Sequence, residues 1–349
     1  MDRILKKAVA DGASDIMLIA GLPVAYKISG RICREDTPRL TPADTRCFSE
    51  RLYALASERS MDTLLRTGDD DFSFSLPGLA RFRVNALKQR GSIGLIIRVV
   101  TFCLPDGKAL GIPERVMDFT RRPKGLVLIT GSAGSGKSTT LACMVDHVNS
   151  SRNTHIITIE DPIEFLHSHK KSIVTQREIS TDTLSYDIAL RAALRESPDI
   201  ILLGEMRDPD TIRAAVTAAE TGHLIISTLH TMSAASTIDR MIDVFPPAQQ
   251  HQIRTQLAQV IEGVVCQQLV PGTDGRLRPA FEIMTATPAV RNIIREGRTH
   301  QLNSAIAADN AMVSMDHSLL ELYRSGSISA ADALAHAADS EWLSRRMGN

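Results

Sequence analysis

Gly125-Leu126-Val127-Leu128-Ile129-Thr130-Gly131-Ser132-Ala133-Gly134-Ser135-Gly136-Lys137-Ser138 is the stretch on which the fold of this chain turns. Residues 126–130 are an unbroken apolar run of strand length, and 131–138 match G-x-x-x-x-G-K-[ST]. A helix is expected to begin at Lys137. In this strand, loop and helix order, glycines let backbone N–H groups curl around phosphate oxygens at a helix N-terminus. Lys137 then reaches the β- and γ-phosphates, and the Ser138 hydroxyl ligates Mg2+. Gly131, Ser132, Ala133, Gly134, Ser135, Gly136, Lys137, Ser138 and the adjoining Thr139 are therefore the expected nucleotide-binding segment, with a nucleoside triphosphate and Mg2+ as ligands.

Downstream, short apolar runs at 156–159, 200–203 and 224–227 alternate with helical patterns at 137–148, 185–195, 210–220 and 234–244. Strands buried on both faces read this way, and their alternation with helices predicts crossover units around a parallel sheet. Ligands of such a sheet lie at the carboxyl ends of its strands. After Val270 the pattern becomes mostly helical. The expected class is α/β, with a P-loop core over 113–270 and a helical C-terminal part over 271–349.

The first hundred residues are patterned differently. A short helix at 3–10, strands at 16–20 and 24–29, and a helix with Thr41 as N-cap and Pro42 at N1 come first. Strands at 72–76, 81–85 and 93–100 follow, which predicts an antiparallel sheet with helices. Within 81–85, Phe82 and Val84 share one face and the arginines the other. Turn residues concentrate between Pro105 and Pro113, so 105–112 is the expected linker after a domain over 1–104.

Three further strand ends carry chemistry. Ile200-Ile201-Leu202-Leu203-Gly204-Glu205 ends in a carboxylate placed to support the magnesium shell. Thr158-Ile159-Glu160-Asp161-Pro162-Ile163-Glu164 runs into three acids, one of which is placed to orient the water attacking the γ-phosphate. Turn chemistry around Asp161-Pro162 is the plainer alternative. His223 and His230 bracket the run 224–229, and neither has zinc-ligand spacing. As lone histidines both read first as polar strand caps. The position of His230 at the carboxyl end favours a role there, whereas His167 and His169 read as exposed loop residues.

Composition narrows the function classes. The 349 residues hold 40 Lys+Arg against 40 Asp+Glu with 4% aromatics, which argues against a nucleic-acid groove. Five cysteines (Cys33, Cys47, Cys103, Cys143, Cys266) form no Cys-x-x-Cys pair, so neither a zinc ribbon nor a disulfide framework is expected. No stretch approaches the ~20 apolar residues of a membrane span. A cytoplasmic chain is expected, one that meets a membrane only through a partner.

In order and spacing, the four blocks resemble the secretion ATPase superfamily of type II secretion, type IV pilus and VirB11-like motors, over nearly the whole chain. That resemblance implies a homohexameric ATP-hydrolysing motor with a PAS-like N-terminal domain and a RecA-like ATPase domain. It makes 131–138 the Walker A motif, 158–164 the Asp box with Glu160 and Asp161, 202–205 Walker B, and 221–230 the His box opened by His223. It further implies Glu164 as catalytic base, Glu205 at the magnesium site, and His230 as a sensor of nucleotide state across subunits. Arg83 and Arg98 match the arginines that the N-terminal domain supplies to nucleotide, where the residues alone read as solvated edge charges.

Ala289-Val290-Arg291-Asn292-Ile293-Ile294-Arg295-Glu296 is similar to the A-I-R-N-L-I-R-E signature of the PilT-type retraction branch, as Ala13-Ser14-Asp15 is to its opening. This implies retraction of a type IV pilus from the cytoplasmic side of the inner membrane, through a platform protein and with or without a second pilus ATPase. An accessory ATPase of the PilU kind shares every block. A RecA-like DNA motor is disfavoured by charge balance, and a non-hydrolysing scaffold by Lys137, Glu164 and Glu205. Two departures are mild: Ser132-Ala133 replaces a commoner Pro-Thr, and Met17 stands where a His is frequent.

Thr287 as cap, Pro288 at N1 and Gly297 at C′ predict a helix from 288 to about 296. Val290, Ile293 and Ile294 form its buried stripe. Arg291 and Arg295 put like charges side by side, which reads from the residues as a solvated basic face. With Glu296, the resemblance makes it a surface that transmits nucleotide-driven motion.

Overall fold

The computed structural model describes residues 1–28, 30–56, 59–100 and 104–348. Ser29, at the end of the expected second strand, and Cys103 lie outside the described residues. The chain divides into two compact units, Met1–Leu104 with Glu164–His167, and Pro105–Ile163 with Ser168–Asn349.

In the first unit, α1 (Asp2–Ala10) precedes β1 (Ala13–Leu18), β2 (Ala25–Ile28) and β3 (Arg31–Arg34). Next come α2 (Pro42–Leu55), α3 (Asp62–Thr67), β4 (Asp69–Leu76), β5 (Ala80–Gln89) and β6 (Ser92–Val100). Among the described residues, these strands form one antiparallel six-stranded sheet in the order β3-β2-β1-β6-β5-β4. Period-2 alternation sends Phe82, Val84 and Ala86 of β5 and Leu95 and Ile97 of β6 into a core with Ile16, Leu18, Leu52 and Leu64. Pairing register then lines up Lys27, Asp15, Arg98, Arg83 and Ser73 on five successive strands. The start of α2 closes a capping box: Asp44 N donates to the Thr41 hydroxyl at 3.2 Å, and Thr41 N donates to the Asp44 carboxylate at 2.8 Å.

In the second unit, α4 (Glu114–Asp118), β7 (Gly125–Thr130) and α5 (Lys137–Ser151) lead to β8 (His155–Glu160) and β9 (Ile173–Glu178). Then follow α6 (Tyr186–Ala193), β10 (Ile200–Leu203), α7 (Pro209–Glu220), β11 (Leu224–Leu229), α8 (Ala234–Asp243) and α9 (Pro247–Val260). The chain continues through β12 (Ile261–Pro271), β13 (Leu277–Thr285), α10 (Pro288–Arg295), α11 (Leu302–Ala308), α12 (Met315–Arg324), α13 (Ala330–His336) and α14 (Ser340–Met347). Among the described residues the sheet has seven strands in the order β13-β12-β7-β11-β10-β8-β9, all parallel except β13, which is antiparallel to β12.

Both faces of this sheet are covered, which is why its central strands are apolar throughout. Leu126, Leu128, Ile157, Ile159, Ile201, Leu203 and Ile225 pack against Ala189, Ile212, Ile238 and Leu257 of α6 to α9. Val127, Ile129, Ile156, Ile200, Leu202 and Ile226 face the other way, onto Leu141, Met144, Val145 and Val148 of α5. Each such side chain contributes about 1.5–3 kcal/mol by leaving water.

After Val270 the chain is mostly helical from α10 onward, but two strand segments come first. β12 extends to Pro271, and β13 adds an antiparallel edge. Pro279 inside β13 marks an edge strand, because it cannot donate to a ladder on both sides. Among the described residues no helix is long and apolar enough to cross a membrane.

Candidate nucleotide-binding site

The phosphate loop leaves β7 at Thr130 and enters α5 at Lys137. Gly131, Gly134 and Gly136 have φ of 144°, 77° and 88°, where a side chain strains the backbone. Space excludes a side chain at Gly131 and crowds one at Gly136. A Cβ on Gly131 would collide with the Gln267 carbonyl oxygen, and one on Gly136 would lie 2.7 Å from Gln267 Nε2. The Ser135 hydroxyl is buried with no hydrogen-bond partner, an orphan polar group in the loop. The buried Lys137 donates through Nζ to the carbonyls of Gly131 and Ser132, both at 2.8 Å. A glycine-rich backbone, an ammonium folded across it and an unpartnered hydroxyl fit a bound phosphate.

Glu205 lies just past the carboxyl end of β10 and is buried. Its Oε1 pairs with Arg207 Nη2, and its Oε2 lies 3.3 Å from His230 Nε2. His230 directly follows the adjacent strand β11. Walker B and the end of the His box therefore meet at one carboxylate. The strand ends are stitched by the Thr228 hydroxyl, which donates to Gly204 O at 2.5 Å, and by Met206 N, which donates to Thr228 O at 3.3 Å.

Tyr186 opens α6 beside them. Its phenol is pushed well above its usual pKa by burial and then by the carboxylates of Asp161, Glu205 and Glu160. A Cβ on Gly204 would lie 2.8 Å from this hydroxyl, so glycine lets it approach Walker B. The Glu160 carboxylate accepts from the Thr158 hydroxyl at 2.6 Å and the Gln176 amide at 3.2 Å. After the cis Asp161–Pro162 bond, Ile163 N donates to the buried Glu178 carboxylate at 3.0 Å. That bond fixes the residue before Glu164, which is itself exposed and groups with the first unit.

The structure does not bring His223 to this place. It precedes β11 at the amino end, where Nδ1 lies 3.1 Å from Ala218 O of α7. A six-residue strand spans about 20 Å, so His223 caps the far end of the sheet. His167, expected to be exposed, is buried; His169 is exposed, and its Nδ1 accepts from Val174 N at 3.1 Å.

In the first unit, Arg98 Nε pairs with the buried Asp15 at 3.1 Å, and Arg83 stands beside Arg98 in register. The expected solvated face on α10 is half right. Arg295 is exposed and donates to Asn292 Oδ1 at 3.3 Å, and Glu296 pairs with Arg298. Arg291 turns inward instead. It donates to Ala258 O at 3.0 Å and Gln259 O at 2.6 Å and pairs with Glu262 at 2.7 Å. The last carbonyls of α9 lack helical partners and carry negative partial charge, so a guanidinium is drawn to them.

Magnesium fits the donors available. Ser138 and Glu205 supply hard oxygens near the carboxyl end of the parallel sheet, and Mg2+ commonly takes one or two protein ligands and completes its shell from phosphates and water. Among the described residues no cluster of three or more His, Cys, Asp or Glu forms a separate metal cage. Gln267, Tyr186 and Arg207 were not singled out by sequence reasoning. The Gln267-Gln268 pair interrupting the apolar run 264–270 was the one available signal for the first.

The model of the family described as type II/IV secretion system protein matches residues 1–329. The type IV pilus retraction ATPase PilT of Pseudomonas aeruginosa is 44% identical over 332 residues, 95% of this chain and 96% of that protein. The type IV pilus ATPase PilU of the same organism is 37% identical over 339 residues, 96% of this chain and 88% of that protein. A crystal structure of the pilus retraction motor PilT with bound ADP matches with a TM-score of 0.90 at 45% identity, covering 98% of each chain. The chain therefore belongs to the type II/IV secretion system protein family, as a P-loop ATPase with a RecA-like core.

Proposed function

We propose that the chain is the ATP-driven motor that retracts a type IV pilus, as a homohexameric ring acting on a platform protein at the cytoplasmic face of the inner membrane. One joint observation supports this: a phosphate loop with three glycines at positive φ, one of them closed in by main chain, in a fold that follows a pilus retraction motor over 98% of the chain. The reaction is attack of water on the γ-phosphate of ATP, giving ADP and phosphate. Loop N–H groups and Lys137 hold the β- and γ-phosphates, and the Lys137 ammonium exchanges its two carbonyl partners for phosphate oxygens. Ser138 and Glu205 would hold magnesium, which would offset the charge that builds on the transferred phosphoryl group. Glu164 accepts the proton of the attacking water. Arg83 and Arg98 meet the developing negative charge, and His230 with Arg207 couples Glu205 to the state of the nucleotide.

Deletion of the gene should leave cells with excess surface pili and no twitching, and a Lys137→Ala copy should not restore movement. Bald cells would overturn the retraction reading. A second reading, an accessory retraction ATPase, is favoured by the likeness to PilU. Whether this chain retracts pili without another ATPase separates the two.

Work is further separable from hydrolysis at α10. Arg295→Ala should leave the fold intact and ATPase activity within a few-fold of normal while abolishing twitching. Arg291→Ala should cost about 2–3 kcal/mol of stability, since bonds to charged groups are worth about 1.5–3 kcal/mol. Thermal unfolding and phosphate release measured on both variants check this, and normal twitching in Arg295→Ala would reduce that residue to a solvated charge.

A further inference from the structure

Gln267 is a polar side chain where the pattern calls for an apolar one. It lies on β12 between Cys266 and Gln268 and is only 4% exposed. The pairing of Cys266 with Thr130 puts it level with the start of the phosphate loop. Three contacts converge on it. Its carbonyl oxygen fills the space that a side chain at Gly131 would need. Its Oε1 accepts a hydrogen bond of 2.7 Å from the Thr140 hydroxyl, in the first turn of α5. Its Nε2 lies where a side chain at Gly136 would go. With Oε1 on the Thr140 hydroxyl, the donor half of the amide is the half turned to the loop.

We infer that Gln267 is a positioning residue of the nucleotide site. Its side chain ties the first turn of α5 to β12 through Thr140, lies against Gly136, and presents an N–H donor, rather than an acceptor, to the loop that receives phosphate, while its main-chain oxygen lies by Gly131 as any residue's would. Apolar neighbours such as Val265 and Leu269 could fill the same space but could not do this. A carboxylate of the same shape would keep the bond from Thr140 and turn an anion toward bound phosphate. The inference rests on the nucleotide-binding reading of the loop and assigns it a residue outside the Walker, Asp and His boxes.

The test is ADP affinity measured by calorimetry on the full-length protein, with thermal unfolding in parallel. Gln267→Glu should weaken ADP binding more than tenfold at pH 8 in protein that is still folded at the assay temperature, although the buried carboxylate lowers the melting temperature. The loss should shrink as pH falls toward 5.5, because the protonated acid again presents a donor and no charge. Wild type measured at the same pH values supplies the reference. Gln267→Leu should weaken binding too, but by the same factor at every pH. Thr140→Val should weaken it several-fold, and combined with Gln267→Leu should add little, since both break one bond. Affinity of Gln267→Glu within twofold of wild type, or a loss that follows the melting temperature and not pH, would overturn the inference. If wild type itself binds no ADP, the nucleotide reading fails and this inference with it.

Discussion

Glu164→Gln is expected to bind ATP as tightly as wild type and to hydrolyse it about 10²–10⁴-fold more slowly, the usual contribution of a positioned general base. The substitution keeps the size of the side chain and removes only its ability to take a proton. Glu164 is exposed, so no buried network collapses with it. The anchor between Ile163 N and Glu178 is untouched, and the presenting segment keeps its course. Steady-state phosphate release and nucleotide titration on the same preparation check both halves. Turnover near the wild-type rate would put the base elsewhere, with Glu160 and Glu205 next. Both already have partners that occupy their oxygens, Glu160 the Thr158 hydroxyl and Glu205 the Arg207 guanidinium and the His230 imidazole.

Arg83→Ala is expected to cut turnover by about 10³–10⁵, or about 4–7 kcal/mol of barrier, while leaving ATP binding intact. An arginine finger has this effect because it meets charge that exists only as the phosphoryl group moves. Arg83 is a cleaner probe than Arg98, whose loss strips the buried Asp15 of its ion-pair partner and disturbs the sheet. The sharper experiment mixes Arg83→Ala with Lys137→Ala. Each is inactive alone. A mixed ring in which the intact loop of one subunit meets the intact arginine of another should recover part of the activity. Rings shown to be mixed that stay inactive would exclude a finger acting between subunits.

The parallel core was legible because its strands, covered by helices on both sides, are continuous apolar runs bounded by glycine, aspartate or histidine. β9 was not, since Ile173 is exposed and Gln176 and Arg177 interrupt the pattern, as on an edge. β13 hid behind Pro279, and β3 behind four exposed residues that show no alternation. The phosphate loop was visible in full because its chemistry is local. Residues whose meaning comes from distant partners were not visible. Gln267 bonds to Thr140 across 127 positions, and Arg291 reaches carbonyls 32 and 33 positions upstream. Nor could spacing reveal that Glu205, His230, Arg207 and Tyr186 crowd together, because that depends on the order in which strands lie in the sheet.

β12 joins two of these features end to end. Glu262, held by Arg291, stands near its beginning, and Gln267, under the phosphate loop, stands five residues on, a span of about 16 Å at ~3.3 Å per residue. An extended strand laddered to neighbours on both sides, as β12 is to β7 and β13, resists stretching. A displacement of the loop end would therefore reach Glu262, and the Arg291 side chain that holds it, as a shift of the whole rod. Its slack lies at one known place, the irregular pairing between Ile261 and Gly263, where Glu262 sits. The joint that can flex is thus the one that the Arg291 guanidinium grips.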